Sequence, residues 1–137
     1  MKLNLPTSWL YFLDDREARS VLSDLEKSGV ARVHQTRQTQ VGDHVYLMVG
    51  EGDSGRVMYQ TSVIEIAKHS AEENEIRLTC RVRAFHQMLI SDFLTEEALE
   101  KQKFPLDRAE YDIARLNKAQ MFYLATVFSD RNRYGNS

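Results

Sequence analysis

The fold is decided by residues 41–66, VGDHVYLMVGEGDSGRVMYQTSVIEI, which have the pattern of a β-hairpin. From His44 to Val49, valine and leucine alternate with His, Tyr and Met, as in a strand with two different faces. The six residues from Gly50 to Gly55 include three glycines and no apolar side chain, which predicts a tight, exposed connection. The return arm, Arg56 to Ile66, is apolar on both faces and is expected to be the central strand. Val41 to Asp43 is expected to be a turn that sets the register of the hairpin.

Length and composition are those of one globular domain. The chain has 137 residues, 42% hydrophobic and 28% charged, which is enough for one core of ordinary composition. No apolar run approaches the roughly 20 residues that cross a bilayer, and the first residues lack the pattern of a secretory signal. The single cysteine, Cys80, excludes an internal disulfide and favours a reducing, cytoplasmic setting. We therefore expect a single domain over 1–137, with a frayed end at 129–137.

Further elements flank the hairpin. Residues 8–13 are largely aromatic and predict a short strand, and residues 15–28 carry apolar side chains at helical spacing. A strand is expected at 30–33, followed by a polar link over 34–40. Residues 75–85 show the clearest alternation in the chain and predict one more strand.

The last third of the chain carries helical signals. Thr95 precedes two glutamates and an apolar pair, which predicts the capped start of a helix. Residues 107–116 are expected to form a helical turn or two, and Asn117 is expected to cap a last helix. The order of strand, helix, several strands and then helices predicts an α+β fold, with a mostly antiparallel sheet that can close on itself.

Four arginines on predicted strands are candidates for binding phosphate. They are Arg56, Arg77, Arg81 and Arg83. Arg77, Arg81 and Arg83 belong to the predicted strand at 75–85, where alternation puts them on one side. A guanidinium group matches the geometry of a phosphate. The alternative is a solvated strand face balanced by Glu65 and Glu75. Because the net charge is −2, any binding of nucleic acid is expected to be local and modest.

Other side chains can belong either to the core or to a binding pocket. Trp9 is the only tryptophan, and it either packs in the core or stacks on a base. Tyr46 and Met48 share one face of the hairpin strand. This face lies either towards the core or towards a helix or pocket on the other side of the strand. His34 and the three residues after it carry hydrogen-bonding groups that suit the edge of a flipped base, or they form a solvated loop.

Together these residues resemble an EVE-type domain of the PUA-like superfamily, which also includes the YTH and ASCH domains. The resemblance rests on Trp9 in an opening aromatic strand, on Val41-Gly42-Asp43 with the strand after it, and on Arg56 to Val63. It covers residues 8–66, and residues 75–128 follow the family only in the order of elements. The family implies a pseudobarrel of about five or six mostly antiparallel strands with flanking helices.

The resemblance also implies a non-catalytic module that accepts one base of DNA or RNA, often a modified one, in a pocket beside the barrel. On this basis we expect Trp9, His34, Thr36, Tyr46 and Met48 to build the base pocket, with Arg37, Arg56, Arg81 and Arg83 on the flanking phosphates. Bacterial relatives are often fused to, or encoded near, restriction and defence nucleases, so a nuclease or a modification enzyme is an expected partner. The chain departs from its relatives at His34, where an aromatic residue is common, and at Met48, where a second tyrosine is common.

No catalytic or metal-binding arrangement stands out in the sequence. The four histidines lack metal-ligand spacing, and one cysteine cannot make a zinc site. No nucleophile, base and oxyanion donor can be assembled, so we expect a monomeric protein that is not an enzyme and has no cofactor or metal. The alternative function is a protein-interaction or small-ligand-binding module on the same fold, without base recognition.

Overall fold

The protein forms a six-stranded sheet with helices packed on both faces. The structure, a computed structural model, describes residues 6–13, 15–35, 39–50, 55–68, 74–83, 93–106 and 113–135. The strands are β1 (Ser8–Leu13), β2 (Val30–Gln35), β3 (His44–Val49), β4 (Arg56–Lys68), β5 (Asn74–Arg83) and β6 (Ile113–Arg115). The helices in the described ranges are α1 (Asp15–Ser28), α2 (Glu96–Lys101) and α3 (Lys118–Gly135). The predicted α+β class is confirmed.

The sheet is arranged around the predicted hairpin. Its strand order is β2-β5-β4-β3-β1-β6, so β4 lies between β3 and β5. All neighbouring pairs are antiparallel except β1 and β3, which run parallel. The expected pairing of the two hairpin arms and the expected central strand are therefore confirmed, whereas residues 51–54 of the expected tight connection lie outside the described residues. β4 continues beyond its expected end to Lys68, because its last residues pair with the start of β5.

Two segments differ from the sequence-based expectation. β2 continues to Gln35, because His34 and Gln35 pair with the start of β5 instead of entering a polar link. Residues 113–115 form strand β6 where helical turns were expected. Ile113 and Ala114 are buried and pair with β1, so tertiary pairing decides this segment and overrides local preference.

The alternation predicted for β5 is interrupted. Gln60 of β4 is opposite Val82, and the next residue, Thr61, is opposite Cys80. Arg81 of β5 is therefore an extra residue between two consecutive pairs and forms a β-bulge. An extra residue shifts the pairing by one position, and a shift of one reverses which face each later residue occupies. The expectation that Arg77, Arg81 and Arg83 follow one unbroken alternation is therefore wrong.

The two faces of the sheet differ in how far their apolar cover extends. The first face carries buried side chains from all six strands and packs against Val21 and Leu25 of α1, and these side chains form the first core. The second face packs against Leu99 of α2 and against Leu124 and Phe128 of α3, and these side chains form the second core. In the described part of the chain, this second cluster takes strand side chains only from β1, β3 and β4. The β5 and β2 side of the second face therefore lies outside the apolar core.

Side-chain caps fix the helices of the second face. Thr95 Oγ1 accepts a hydrogen bond of 3.0 Å from a first-turn N–H of α2, as the sequence predicted. Asn117 and Gln120 cap α3 reciprocally, and each side-chain oxygen accepts from the other's backbone N–H at 2.9 Å. Gln120 Nε2 also donates to the Lys103 carbonyl at 2.7 Å, which ties α3 to the end of α2. The backbone of α3 is helical to Gly135, through most of the tail expected to fray.

The carboxylate of Asp43 joins the start of β1 to the turn before β3. This buried group accepts hydrogen bonds from Thr7 N at 3.1 Å, from Trp9 Nε1 at 3.0 Å and from Gln40 N at 2.9 Å. All three donors are neutral. Because a buried carboxylate is tolerated only when its oxygens are hydrogen-bonded, these three donors are what allow Asp43 to lie in the interior.

The backbone around Asp43 fixes the register of β4. The Asp43 carbonyl accepts from Val63 N, and Gly42 N donates to the Val63 carbonyl, both at 2.9 Å. Gly42 has φ +96°, a conformation that glycine adopts without the steric cost of a Cβ atom. The predicted role of Val41 to Asp43 as the turn that sets the register is confirmed.

We expect Asp43→Asn to lower the free energy of unfolding by about 2–3 kcal/mol, because a carboxamide cannot accept three hydrogen bonds and leaves a buried donor unpaired. Urea unfolding followed by circular dichroism measures the change. Asp24→Asn is the matched control, since Asp24 is exposed on α1, and surface changes of this kind stay within about 0.5 kcal/mol. Equal stability of the two variants would contradict the role assigned to Asp43.

Candidate functional site

Trp9 lies on the first face of the sheet, beside Asp43. Its side chain is 8% exposed and belongs to the apolar cluster that packs against α1. The indole Nε1 donates to Asp43 Oδ2 at 3.0 Å, so the polar end of the ring is satisfied within the protein. Of the two alternatives for Trp9, the structure shows packing in the core.

Tyr46 and Met48 lie on the second face, on the opposite side of the sheet from Trp9. Both are buried under α3, Tyr46 with 0% exposure. The Tyr46 ring lies 5.6 Å from the Phe128 ring, and its hydroxyl accepts a hydrogen bond of 2.7 Å from Gln60 Nε2. The structure therefore does not bring Trp9 together with Tyr46 and Met48, and the roles of these side chains in base binding stay predictions.

The other two residues assigned to the base lie at the end of β2. His34 is in β2 opposite Glu75 of β5, and its side chain lies outside the described part of the structure. Thr36 lies outside the described residues altogether. Their contacts with a base stay predictions.

Among the arginines assigned to phosphate binding, the structure describes the side chain of Arg56 alone. Arg56 is half-buried at the start of β4, where its Nη1 donates to the Gly55 carbonyl at 2.8 Å. Arg81 and Arg83 belong to β5, but their side chains lie outside the described part of the structure, and Arg37 lies outside it entirely. Phosphate binding by these four residues stays a prediction.

The part of the second face beyond the apolar core is mostly polar. We call its polar residues the polar strand face: Arg32, Gln60, Ser62, Glu65, Arg77 and Thr79. Val30, directly opposite Thr79, lies on the same part of the face. Residues directly opposite in neighbouring strands share a face of the sheet. Gln60 is opposite Tyr46 of the second core, and Ser62 is opposite Thr79, so these side chains continue the second face from β4 into β5.

Three charged residues form a row across the polar strand face. Arg77 of β5 is the Cα partner of Arg32 in β2 and of Glu65 in β4. Arg77 Nη1 and Glu65 Oε2 are 3.5 Å apart and form an ion pair, with side chains 35% and 58% exposed. Arg32 is exposed, and within the described ranges it makes no ion pair. The row therefore holds two positive charges and one negative charge.

The sequence did not identify the polar strand face as a group. Alternation alone puts Arg32 on the polar side of its strand, because Ala31 and Val33 beside it are apolar. It does not say which residues of β4 and β5 lie opposite. The grouping depends on the order β2-β5-β4 and on the register of each pair, which no local pattern contains.

The polar strand face offers guanidinium, hydroxyl and carboxamide groups, which bind ligands through charge and hydrogen bonds. Among the residues that the structure describes, no group of three or more His, Cys, Asp or Glu side chains is placed to hold a metal ion. No helix in these ranges is long and apolar enough to cross a membrane.

Solved structures of other proteins share this α+β fold. The structure is similar to a point mutant of ZmASCH, an ASCH-domain protein from Zymomonas mobilis, with a TM-score of 0.53 and 10% identity over 87% of this chain and 96% of that chain. It is also similar to a hypothetical protein from Leishmania major, with a TM-score of 0.66 and 13% identity over 93% and 97% of the two chains. At these identities the likeness shows the fold alone, so the EVE type stays a prediction. No protein-family model and no curated protein matches the sequence.

Burial raises the pKa of the Tyr46 phenol above its usual value, and the hydrogen bond from Gln60 acts in the opposite direction with a smaller effect. In the unfolded chain a tyrosine has a pKa of about 10. Ionisation above that pH therefore favours the unfolded chain. The contribution of Tyr46 to stability is complete below about pH 10 and is lost as the pH rises towards the folded-state pKa.

We expect Tyr46→Phe to flatten the fall in stability above about pH 10, because phenylalanine does not ionise. Urea unfolding at a series of pH values, followed by circular dichroism, measures the slope. Tyr123→Phe is the comparison: burial also raises the pKa of Tyr123, but its hydroxyl is exposed, so we expect a smaller change in slope. Parallel pH profiles for the wild type and Tyr46→Phe would show that Tyr46 does not contribute.

Proposed function

We propose that the protein is a binding module for single-stranded nucleic acid, with RNA as the first candidate, and that the polar strand face holds the strand. The observation that carries this proposal is the division of the second face: one part is apolar core, and the other offers two arginines and several neutral polar groups. The PUA-like fold, similar to that of ZmASCH over 87% of this chain, supports the same reading.

A single base would be held at the β2 end of this face. β2 ends with His34 and Gln35, and the chain continues with Thr36 and Arg37. Their side chains include hydrogen-bond donors and acceptors, which are the groups needed to read the edge of a flipped base, plain or modified. His34 and Thr36 are also two of the residues that we expect in the base pocket.

The proposed activity is binding, without catalysis or a cofactor. Contacts to phosphates position a strand, and the two arginines of the charged row suit them. Because the net charge is −2, attraction over the whole surface is weak and affinity has to come from this local surface. Chemistry on the bound strand would be supplied by a partner, such as a nuclease or a modification enzyme.

A second candidate function, protein interaction, is favoured by two exposed phenylalanines. Phe93 is 61% exposed and Phe122 is 72% exposed. Tyr123 Oη donates to the Phe93 carbonyl at 2.6 Å, which holds the turn that carries Phe93 against α3. Exposed apolar side chains grouped on a surface mark contact sites for other proteins. The partner considered for this second function is another copy of the chain.

We expect Arg32→Gln to bind a short fluorescent single-stranded RNA about three- to tenfold more weakly than the wild type, because it removes one phosphate contact. Fluorescence anisotropy at several salt concentrations measures the affinity and its salt dependence. Arg115→Gln is the matched control, since Arg115 is also exposed and lies on β6, the opposite edge of the sheet. We expect this control to bind like the wild type.

Equal losses in the two arginine variants would reject the polar strand face as the binding surface. The absence of any binding to RNA or to the same DNA sequence would reject the proposed function. Trp9 provides a second signal in the same titrations, because it is the only tryptophan. Quenching by one modified base that persists at high salt would instead support the base stacking predicted for Trp9.

The two candidate functions differ in the state of the free protein. Nucleic-acid binding by the polar strand face needs only a monomer, so we expect sedimentation equilibrium to give a monomer at all concentrations. Under the second function, the wild type would form a dimer and Phe122→Ser would not. Val41→Ser is the matched control, because Val41 is 63% exposed and lies in the turn before β3. A dimer that Phe122→Ser abolishes and Val41→Ser retains would favour protein interaction.

A further inference from the structure

We propose that Arg32 and Arg77 form a phosphate site, and that Glu65 occupies Arg77 as an internal substitute for the phosphate when no strand is bound. This inference rests on the proposed function and adds to it the position of one phosphate and a residue that limits affinity. A bound phosphate would displace Glu65 from Arg77 and lie between the two guanidinium groups.

The first support is the register of three strands. Arg32, Arg77 and Glu65 are successive Cα partners across β2, β5 and β4. Side chains at directly opposite positions lie about 5 Å apart at their Cβ atoms. Two guanidinium groups anchored at this spacing can both reach one phosphate, since each presents several N–H donors in a fixed planar fork.

The second support is the imbalance of charge in the row. Like charges directly opposite each other in a sheet are destabilising, and Arg32 faces Arg77 in this way. Glu65 compensates only one of the two, because its carboxylate pairs with Arg77 Nη1 at 3.5 Å. In the part of the chain that the structure describes, Arg32 has no carboxylate partner. An anion bound between the arginines would remove the repulsion.

The third support is that the ion pair is easily exchanged. Its side chains are 35% and 58% exposed, and ion pairs this exposed contribute little to stability because water and salt screen them. The two non-bridging oxygens of a backbone phosphate can each accept from one of the two arginines at once. Exchange therefore replaces one weak contact with two charge-assisted contacts.

The consequence is that Glu65 lowers the affinity for nucleic acid. Before a phosphate can bind Arg77, the carboxylate has to leave, and after exchange its negative charge remains near the phosphate. Both effects oppose binding. Removing the charge while keeping the size of the side chain should therefore strengthen binding, which is the opposite of what the loss of a binding residue would do.

We expect Glu65→Gln to bind single-stranded RNA about three- to tenfold more tightly than the wild type at low salt. The matched control is Glu97→Gln, which breaks an exposed ion pair with Lys101 at 3.6 Å on α2 and changes the net charge by the same amount. We expect the control to bind like the wild type. Fluorescence anisotropy measures the affinities, and urea unfolding verifies that both variants are folded.

A double-mutant cycle tests whether Glu65 acts through Arg77. We expect Arg77→Gln to weaken binding, and in that background Glu65→Gln should strengthen it by a clearly smaller factor than in the wild type. Equal effects of Glu65→Gln with and without Arg77, or equal effects of the two glutamate variants, would overturn the inference while leaving RNA binding intact.

Failure of the proposed function gives a different result. If no variant binds RNA or DNA, pyrophosphate is titrated while the Nε–Hε signals of the arginines are followed by NMR. Shifts confined to Arg32 and Arg77, larger in Glu65→Gln, would retain the phosphate site without nucleic-acid binding. Unshifted signals in both proteins would reject the site as well.

Discussion

The alignment of the sheet depends on the buried carboxylate of Asp43. β1 and β3 run parallel, and parallel neighbours have no hairpin between them to set their register. Asp43 supplies this alignment, because its oxygens accept from Thr7 and Trp9 at the start of β1 while its own backbone directly precedes β3. Its carbonyl also holds Val63 of β4. A slip of β1 by one residue would exchange its two faces, so Trp9 would leave the first core and Leu10 would leave the second.

The unequal cover of the two faces explains where a binding surface can form. The first face is apolar in all six strands because it lies under α1 and closes the main core. α2 and α3 pack against β1, β3 and the first part of β4, and in the described part of the chain the second face of β5 and β2 contributes no side chain to this apolar cluster. Side chains there do not have to fill an apolar core, so polar groups are tolerated. They are nevertheless held by strands, which position side chains more precisely than loops do.

Local sequence patterns were sufficient to predict most of the fold, but they were not sufficient to predict the site. Alternation identified the hairpin and its central strand, and the capping residues Thr95 and Asn117 identified two helix starts, because these signals are local. β6 was missed because Ile113 forms a strand only by pairing with β1. The expected pocket combined Trp9 with Tyr46, but which faces of β1 and β3 coincide is set by a parallel register that no local pattern contains.

The position of Glu65 shows that core packing, and not attraction between charges, arranges the charged row. β4 has one extra residue, Ile64, between Val63 opposite Leu78 and Glu65 opposite Arg77. Without this bulge Ile64 would face Arg77, and Glu65 would turn towards the first core. Full burial of an aliphatic side chain contributes about 1.5–3 kcal/mol, and Ile66 packs partly buried against the first core, whereas an exposed ion pair contributes at most about 1 kcal/mol. The bulge turns Ile66, and not Glu65, towards the first core opposite Ile76, and the Glu65–Arg77 contact follows from that packing.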